Sequence, residues 1–397
     1  MARKLRVSGD LILRTGQDSA NDSRIPLSDQ NRKDSDSTVK SSRRETYVTH
    51  ESRLAGYSDI STTLSLLNNQ QIRELVENAT ALGNGIGGST ALLQLENTFV
   101  FVKRIPITEL EKSVENFMST RNVFELPSFF HYGIGSLGHG VWREVAAHKM
   151  TTNWVLAKRS ESFPLLYHWR VLPNLKQNTS EEVSDLVEFW GAKAVQDRIE
   201  AIEHAVDCVV LFLEYIPYSL HDWLTEQVAL GEDTASSAFA KVESDLRNAV
   251  SFMNANDLLH FDAHFRNILT DGNRLYISDF GLAASTRFEL SNSEIEFYKM
   301  NKAHDECYVV TEFVNWLIRI LGGVNSHIEI MDYIRRCING EKSRDLTGSA
   351  AVIIERYAPI ALVMNEFYSN LISVNRSTPF PVEEIQQVSA MIGFDNL

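Results

Sequence analysis

Cysteine is scarce: three in 397 residues, Cys208, Cys307 and Cys337, far apart and without a C-x-x-C pair. That spacing excludes a disulfide framework and a thiolate zinc motif, and their apolar surroundings suit buried free thiols in a reducing cytoplasm. Long apolar runs are missing too. Nothing approaches the roughly 18 residues of a membrane span. The basic start MARKLRVSGDLIL lacks the apolar core and cleavage site of a signal peptide. Positive charge is in deficit, 38 Lys+Arg against 52 Asp+Glu for a net −14. Tight nonspecific nucleic-acid binding is therefore disfavoured, while a local cluster of donors around a phosphate is not.

Aromatic residues are nearly absent from residues 1–54, where Ser, Thr, Asp, Asn and Arg dominate. Such a segment buries too little apolar surface to offset its ordering entropy, and a disordered Ser/Thr-rich tail is expected, with room for one short element at residues 5–13. The tail holds 11 Lys+Arg and 8 Asp+Glu, so the remaining body is acidic, 27 against 44. From about residue 58 the pattern becomes globular. Helical spacing covers 62–82, with Asn68 or Asn69 able to cap a turn, and 108–118 follows a Thr108…Glu111 capping-box pattern. A helix is expected over 141–156, a strand over 165–172, an acidic helix over 180–206 and a buried strand over 208–213. Mostly helices follow, at 234–256, 305–321, 327–339, 349–373 and 382–391. Strands first and helices later predict an α+β, two-lobed body.

The segment LLHFDAHFRNILTDGNRLYISDFGLA carries the chemistry. It sets His260, Asp262 and Asn267 on a loop, then a strand–turn–strand, then Asp279-Phe280-Gly281. Phosphoryl transfer explains these types. A hydroxyl nucleophile needs a carboxylate to orient it and take its proton, the role of Asp262. Magnesium prefers hard oxygen ligands, which Asn267 and Asp279 supply. A turn at Gly272 and Asn273 folds the strands back so that the two ligands converge.

These residues resemble the catalytic loop and magnesium motif of the protein-kinase-like superfamily. The resemblance covers about residues 75–325 and implies a small β-rich N-lobe (55–213, with insertions) and a larger helical C-lobe (214–397). Phe261 and Ala263 stand where protein kinases usually carry Arg and Leu. His264, two residues after the aspartate, is instead similar to the H-x-D-x-H-x-x-N loop of aminoglycoside-type phosphotransferases.

A second match is Gly83, Gly85 and Gly88 in G-x-G-x-x-G. A dinucleotide fingerprint would lead into a helix, whereas TALLQL and TFVFVK read as strands joined at 97–98, as in the kinase glycine-rich hairpin over ATP phosphates. Lys103 ends the second strand, on the same face as Phe99 and Phe101 and toward the interior, with Arg104 facing solvent. The resemblance gives Lys103 the α/β-phosphates of ATP and a glutamate partner: Glu144 on the 141–156 helix is preferred, after an insertion of roughly 35 residues, and Glu111 and Glu115 are the alternatives. CVVLFLEYIPYSLHDWL resembles a hinge, with Leu213 as gatekeeper and Glu214 and Ile216 offering backbone groups to adenine. Asp305 would hydrogen-bond the catalytic-loop backbone, or serve as an ordinary acid at a helix N-terminus, stabilised by the dipole. No A-P-E motif follows Gly281, so the activation segment is short.

The implied function is an ATP- and magnesium-dependent protein kinase of bacterial or phage type, acting on Ser, Thr or Tyr of protein substrates in the cytoplasm. Its own tail offers autophosphorylation sites at Ser8, Ser41, Ser42, Thr46 and Tyr47. The alternative is a small-molecule phosphotransferase of aminoglycoside or choline type, motivated by His264 and the missing A-P-E. A pseudokinase is the third reading, set against the presence of Lys103, Asp262, Asn267 and Asp279.

Overall fold

The computed structural model describes residues 49–85, 88–173, 190–341 and 348–394. The five tail hydroxyls, the element expected at 5–13 and the acidic stretch up to residue 189 lie outside them. Helix α1 (His50–Leu66) starts where the Thr49 side chain accepts the Ser52 amide at 3.1 Å. It begins inside the segment assigned to a disordered tail, so the boundary drawn at residue 54 moves to before His50. Composition could not show the cause, a buried acid waiting for Arg53. The helical stretch expected over 62–82 is divided at Leu67, and of the two candidate caps it is Asn68 that, in a capping box with Gln71, starts α2 (Asn69–Glu77).

Strands β1 (Thr80–Gly85), β2 (Gly88–Leu95) and β3 (Thr98–Ile107) follow as two hairpins. The Thr108 capping box is present, yet α3 (Glu109–Lys112) stops after four residues, short of the 118 expected. Ser113 leaves the helical region, and Asn116 bonds back to the Leu110 carbonyl at 3.0 Å. Both residue types compete with helix by such local bonds. After a long connection come α4 (Val141–Leu156), β4 (Leu166–Pro173), α5 (Lys193–Glu203) and β5 (Asp207–Glu214). The five strands form one antiparallel sheet in the order β1-β2-β3-β5-β4.

Beyond β5 the chain turns helical. A short strand β6 (Tyr218–Ser219) leads into α6 (Leu220–Ala229) and α7 (Glu232–Ala255). Then come β7 (Leu258–Leu259), β8 (Ile268–Thr270), β9 (Leu275–Ile277) and β10 (Ala284–Ser285). β8 and β9 make the expected hairpin, turned at Gly272 with φ +90°, and β10 pairs with β7. Helices α8 (Asn292–Met300), α9 (His304–Gly322), α10 (His327–Ile338), α11 (Gly348–Ser373) and α12 (Val382–Ile392) complete the fold. The fold is thus mixed, a small antiparallel sheet joined to a larger set of helices. No single described helix is long and apolar enough to cross a membrane. α9 and α11 pack through a largely apolar seam in which Asn315 and Asn365 exchange two 3.0 Å amide bonds. Each amide thereby satisfies the other, as burial demands.

Arg53 ties α1 to the end of β5. Its guanidinium makes two bonds to the Glu214 carboxylate, at 2.8 and 2.7 Å. It also donates to the carbonyls of Glu161 (3.0 Å) and Phe163 (2.7 Å) and lies over the Tyr276 ring. The arginine side chain has no exposure and the glutamate 10%. Removing one partner of a buried pair strands the other's charge, so Arg53→Ala should cost about 3–5 kcal/mol. Arg53→Lys should restore little, because an ammonium cannot make the forked contact. Urea denaturation measures both; an Arg53→Ala midpoint equal to wild type would show that the pair is not structural.

Candidate active site

The site is assembled around one buried ammonium. Lys103 Nζ lies 2.7 Å from Glu144 Oε1 and 2.7 Å from Asp279 Oδ1. β3 delivers the lysine, its two strand neighbours pairing it with Thr90 and Leu211. The expected surroundings need correction in two details. Phe99 on the same face is 47% exposed, whereas Lys103 itself is buried and covered by its two acids. Arg104 is not a free solvent charge either, since it is half-buried with its Nε unpartnered.

Of the three candidate partners, Glu144 is the one at Lys103. Glu111 holds the helix that carries Glu144: its Oε1 accepts the Val141 amide at 3.0 Å, and its backbone carbonyl accepts Trp142 Nε1 at 2.8 Å. A carboxylate at a helix N-terminus satisfies an orphan N–H and meets the positive end of the dipole. Burial works against ionising Glu111, but Arg198 (3.2 Å) and the amides it accepts outweigh that and hold its carboxyl below the usual range.

The loop over 260–267 is pinned from below by α9. Asp305 accepts the backbone amides of His260 (2.5 Å) and Phe261 (2.9 Å). Phe261 has φ +65°, a left-handed conformation costly for a bulky residue, and these bonds hold it there. Asp279 is also left-handed, φ +63°. His260 spans the loop, bonding the Ser278 carbonyl at 2.8 Å and accepting the Asp262 amide at 3.2 Å. Ser278 in turn donates through N and Oγ to the Asn267 carbonyl, at 3.0 and 2.6 Å. Asn267 and Asp279 are thereby brought side by side.

Asn267 Nδ2 donates to the Asp262 carbonyl (3.0 Å) and to Asp262 Oδ2 (3.1 Å), which leaves its amide oxygen free. Asp279 engages Lys103 through Oδ1, so Oδ2 is free as well. Two hard oxygens fit a magnesium ion. Burial opposes ionising Asp279, yet the Lys103 charge and hydrogen bond outweigh it and hold the carboxyl at about 2. Asp262 goes the other way. Burial, then Asp279 and Glu312, push its carboxyl up to about 7 against the pull of His260 and Asn267; the side chain keeps 22% exposure.

Of the glycine-rich hairpin, Gly85 pairs with Gly88 and the Gly83 carbonyl accepts Thr90 Oγ1 at 3.2 Å, while residues 86–87 are outside the described set. Gly88, at φ +131°, sits so close to the sheet that a Cβ would lie 2.0 Å from the Arg104 carbonyl oxygen. At the other edge, Leu213 and Ile216 are buried, and the Glu214 N–H bonds the Leu165 carbonyl at 2.8 Å.

Sequence reasoning missed the segment before α4, HYGIGSLGHG. Gly133 lies against the catalytic loop, and a Cβ there would be 2.2 Å from Asp262 Oδ1. Gly138, at φ +70°, presses on the Gly281 carbonyl in the same way. The signal was a second glycine cluster, four in the ten residues 131–140 as against four in the six of 83–88. His131 Nδ1 bonds the Leu282 carbonyl at 2.9 Å, and its ring stacks on His139 at 3.7 Å. With Glu294 these two histidines place ligand atoms within 4.8 Å of one another. Glu294 is already paired with Arg143 (2.7 Å), and Arg198 with Glu111, so a cation would add uncompensated buried charge. Burial holds His131 neutral, near 3, and the pair acts as aromatic packing behind Leu282.

No family model matches the chain. It is 32% identical over 113 residues to the human phosphorylase b kinase gamma catalytic chain, liver/testis isoform, covering 28% of this chain and 27% of that one. The mouse chain of that name is 29% identical over 150 residues, 37% of this chain and 36% of its own, and the bovine one 31% over 113 residues. The match spans only about a third of these relatives. The chain is therefore similar, over that part, to a protein-kinase catalytic chain, and the mixed fold is compatible with a kinase-like enzyme.

The close glycine contact yields a stability test. Gly133→Ala forces a Cβ onto the Asp262 carboxylate and should cost about 1–3 kcal/mol. Gly83→Ala meets nothing within 4 Å and should be neutral. Equal thermal midpoints for the two variants would contradict the packing described.

Proposed function

We propose that the chain is an ATP- and magnesium-dependent, two-lobed protein kinase that transfers the γ-phosphoryl group to Ser, Thr or Tyr hydroxyls. The observation carrying this is the Lys103 ammonium shared by Glu144 and Asp279, with Asp262 and Asn267 beside it. The similarity to protein-kinase catalytic chains supports it. An ammonium has three donors; two are engaged, and the third is free for an ATP phosphate. Gly83, Gly85 and Gly88 would cover the phosphates, and Glu214 and Ile216 would offer backbone groups to adenine. Magnesium, held by Asn267 and Asp279, would neutralise charge on the transferring group. Asp262 orients the acceptor hydroxyl and takes its proton, and its raised basicity suits that task. The buried thiols Cys208 and Cys307 support action in a reducing cytoplasm.

One observation favours the second reading, a small-molecule phosphotransferase: the Gly133 backbone crowds the acceptor side of Asp262, which a small alcohol tolerates better than a polypeptide.

Mass spectrometry of chain incubated with ATP and magnesium decides between them. Phosphate should accumulate on the protein, and Asp262→Ala should lower the rate by at least about a hundredfold. Unchanged turnover in Asp262→Ala refutes the site, and product on small alcohols alone refutes the protein acceptor.

The pH dependence follows from Asp262. A base works only when deprotonated, so the rate should fall about tenfold per unit below pH 7 and level off above it. Asp279, held near 2, stays ionised across that range. A rate independent of pH between 5.5 and 7 would contradict the assignment.

A further inference from the structure

The mechanism above leaves His264 unused, although its position is sharply defined. Its Nδ1 accepts two backbone amides, from Arg266 and Asn267, each at 3.2 Å. A ring nitrogen that accepts carries no proton, so the neutral imidazole has its hydrogen on Nε2. Burial favours that neutral form. Nε2 lies 3.9 Å from Asp262 Oδ1, too far for a direct bond. Both side chains keep a window to solvent, 28% and 22%. Asp262 Oδ2 is taken by Asn267, and Oδ1 is bounded on another side by Gly133. The gap between Oδ1 and Nε2–H therefore presents one acceptor and one donor. A hydroxyl oxygen about 2.8 Å from each would satisfy both.

We propose that His264 binds the acceptor hydroxyl through Nε2–H while Asp262 Oδ1 receives its proton, a role resting on the phosphotransferase reading. The acceptor O–H breaks toward Oδ1 and its oxygen bonds the γ-phosphorus. The bond from that phosphorus to the bridging oxygen breaks, and the electron pair leaves on ADP. His264 keeps its own proton throughout. A neutral donor suits this place, because a cation beside Asp262 would stabilise the carboxylate and weaken the base.

Two amide replacements separate this role from loop-holding. His264→Asn keeps an acceptor near the Nδ1 position, where it can hold the backbone amides, and loses the distal donor. His264→Gln carries an N–H out toward the Nε2 position and loses the proximal acceptor. The assay is ATP hydrolysis, with water as the acceptor, together with phosphate incorporation into the full-length chain at saturating ATP. We expect His264→Asn to lose about tenfold or more in kcat with the ATP KM unchanged, and His264→Gln to retain at least about five times the activity of His264→Asn. Any other ranking overturns the proposal. Nitrogen NMR of the wild-type ring gives a check that no variant can spoil by misfolding: a proton on Nδ1 at pH 7 also overturns it. A wild-type chain that hydrolyses no ATP and transfers no phosphate sinks the phosphotransferase reading itself. An active wild type with indistinguishable variants sinks only the role of His264.

Discussion

A lysine ammonium with 7% residual exposure constrains the whole neighbourhood. Such a cation is tolerated only if anions replace its lost water. The two that do so are distant in sequence, Glu144 by 41 residues and Asp279 by 176. Meeting at one nitrogen fixes α4 against β3, and the loop after β9 against both. Glu111 sets the height of α4 by capping it, and Phe280, fully buried against His148 of α4 and His260 of the catalytic loop, fills the space beneath. Two carboxylates against one ammonium leave a negative charge over.

Backbone strain is the second cost of this arrangement. Phe261 and Asp279 both sit at positive φ, and neither would do so in an isolated peptide. Asp tolerates the left-handed region better than Phe, so the compensation falls where it is needed more. Asp305, fully buried on α9, spends both carboxylate oxygens on the amides of His260 and Phe261. The loop holding His260 and Asp262 is thus anchored by a helix beneath it that carries an acid in its first turn. That reading was open from the sequence only as a choice between a loop anchor and an ordinary helix-terminal acid.

What could be read from sequence divides along physical lines. The helices α4, α9, α10, α11 and α12 lie within a residue or two of expectation, because apolar periodicity reports burial of one face and little else. The cluster proposed as the site could be picked out from sequence because phosphoryl transfer restricts the side-chain types suited to positions such as Asp262, Asn267 and Asp279. Interactions between segments without a shared pattern stayed hidden. Arg53 looked like one more charge in a polar tail until Glu214 supplied its partner. Gly133 drew no reading at all, since nothing local reveals that a backbone will pass within contact distance of a carboxylate 129 positions away. Glu111 carried a true signal, the capping box with Thr108, but the signal did not say that its other oxygen would cap a second helix.

The two aspartates show how little is needed to give one residue type two tasks. Asp262 keeps 22% side-chain exposure and Asp279 44%, and the desolvation each does suffer acts to raise both. Asp279 touches an ammonium, and the gain in charge attraction outweighs desolvation, so it stays anionic and suits a metal-bearing role. Asp262 touches no ammonium, and its burial together with two further acids, Asp279 and Glu312, outweighs the pull of His260 and Asn267, so its proton affinity rises toward neutrality. A base and a ligand side by side need proton affinities pushed apart. Here the separation comes from the placement of one cation: Lys103 lies against Asp279, and the histidine nearest Asp262 Oδ1 is kept neutral by the backbone amides it accepts and by its burial. A second cation beside Asp262 would pull the two affinities together and remove the base.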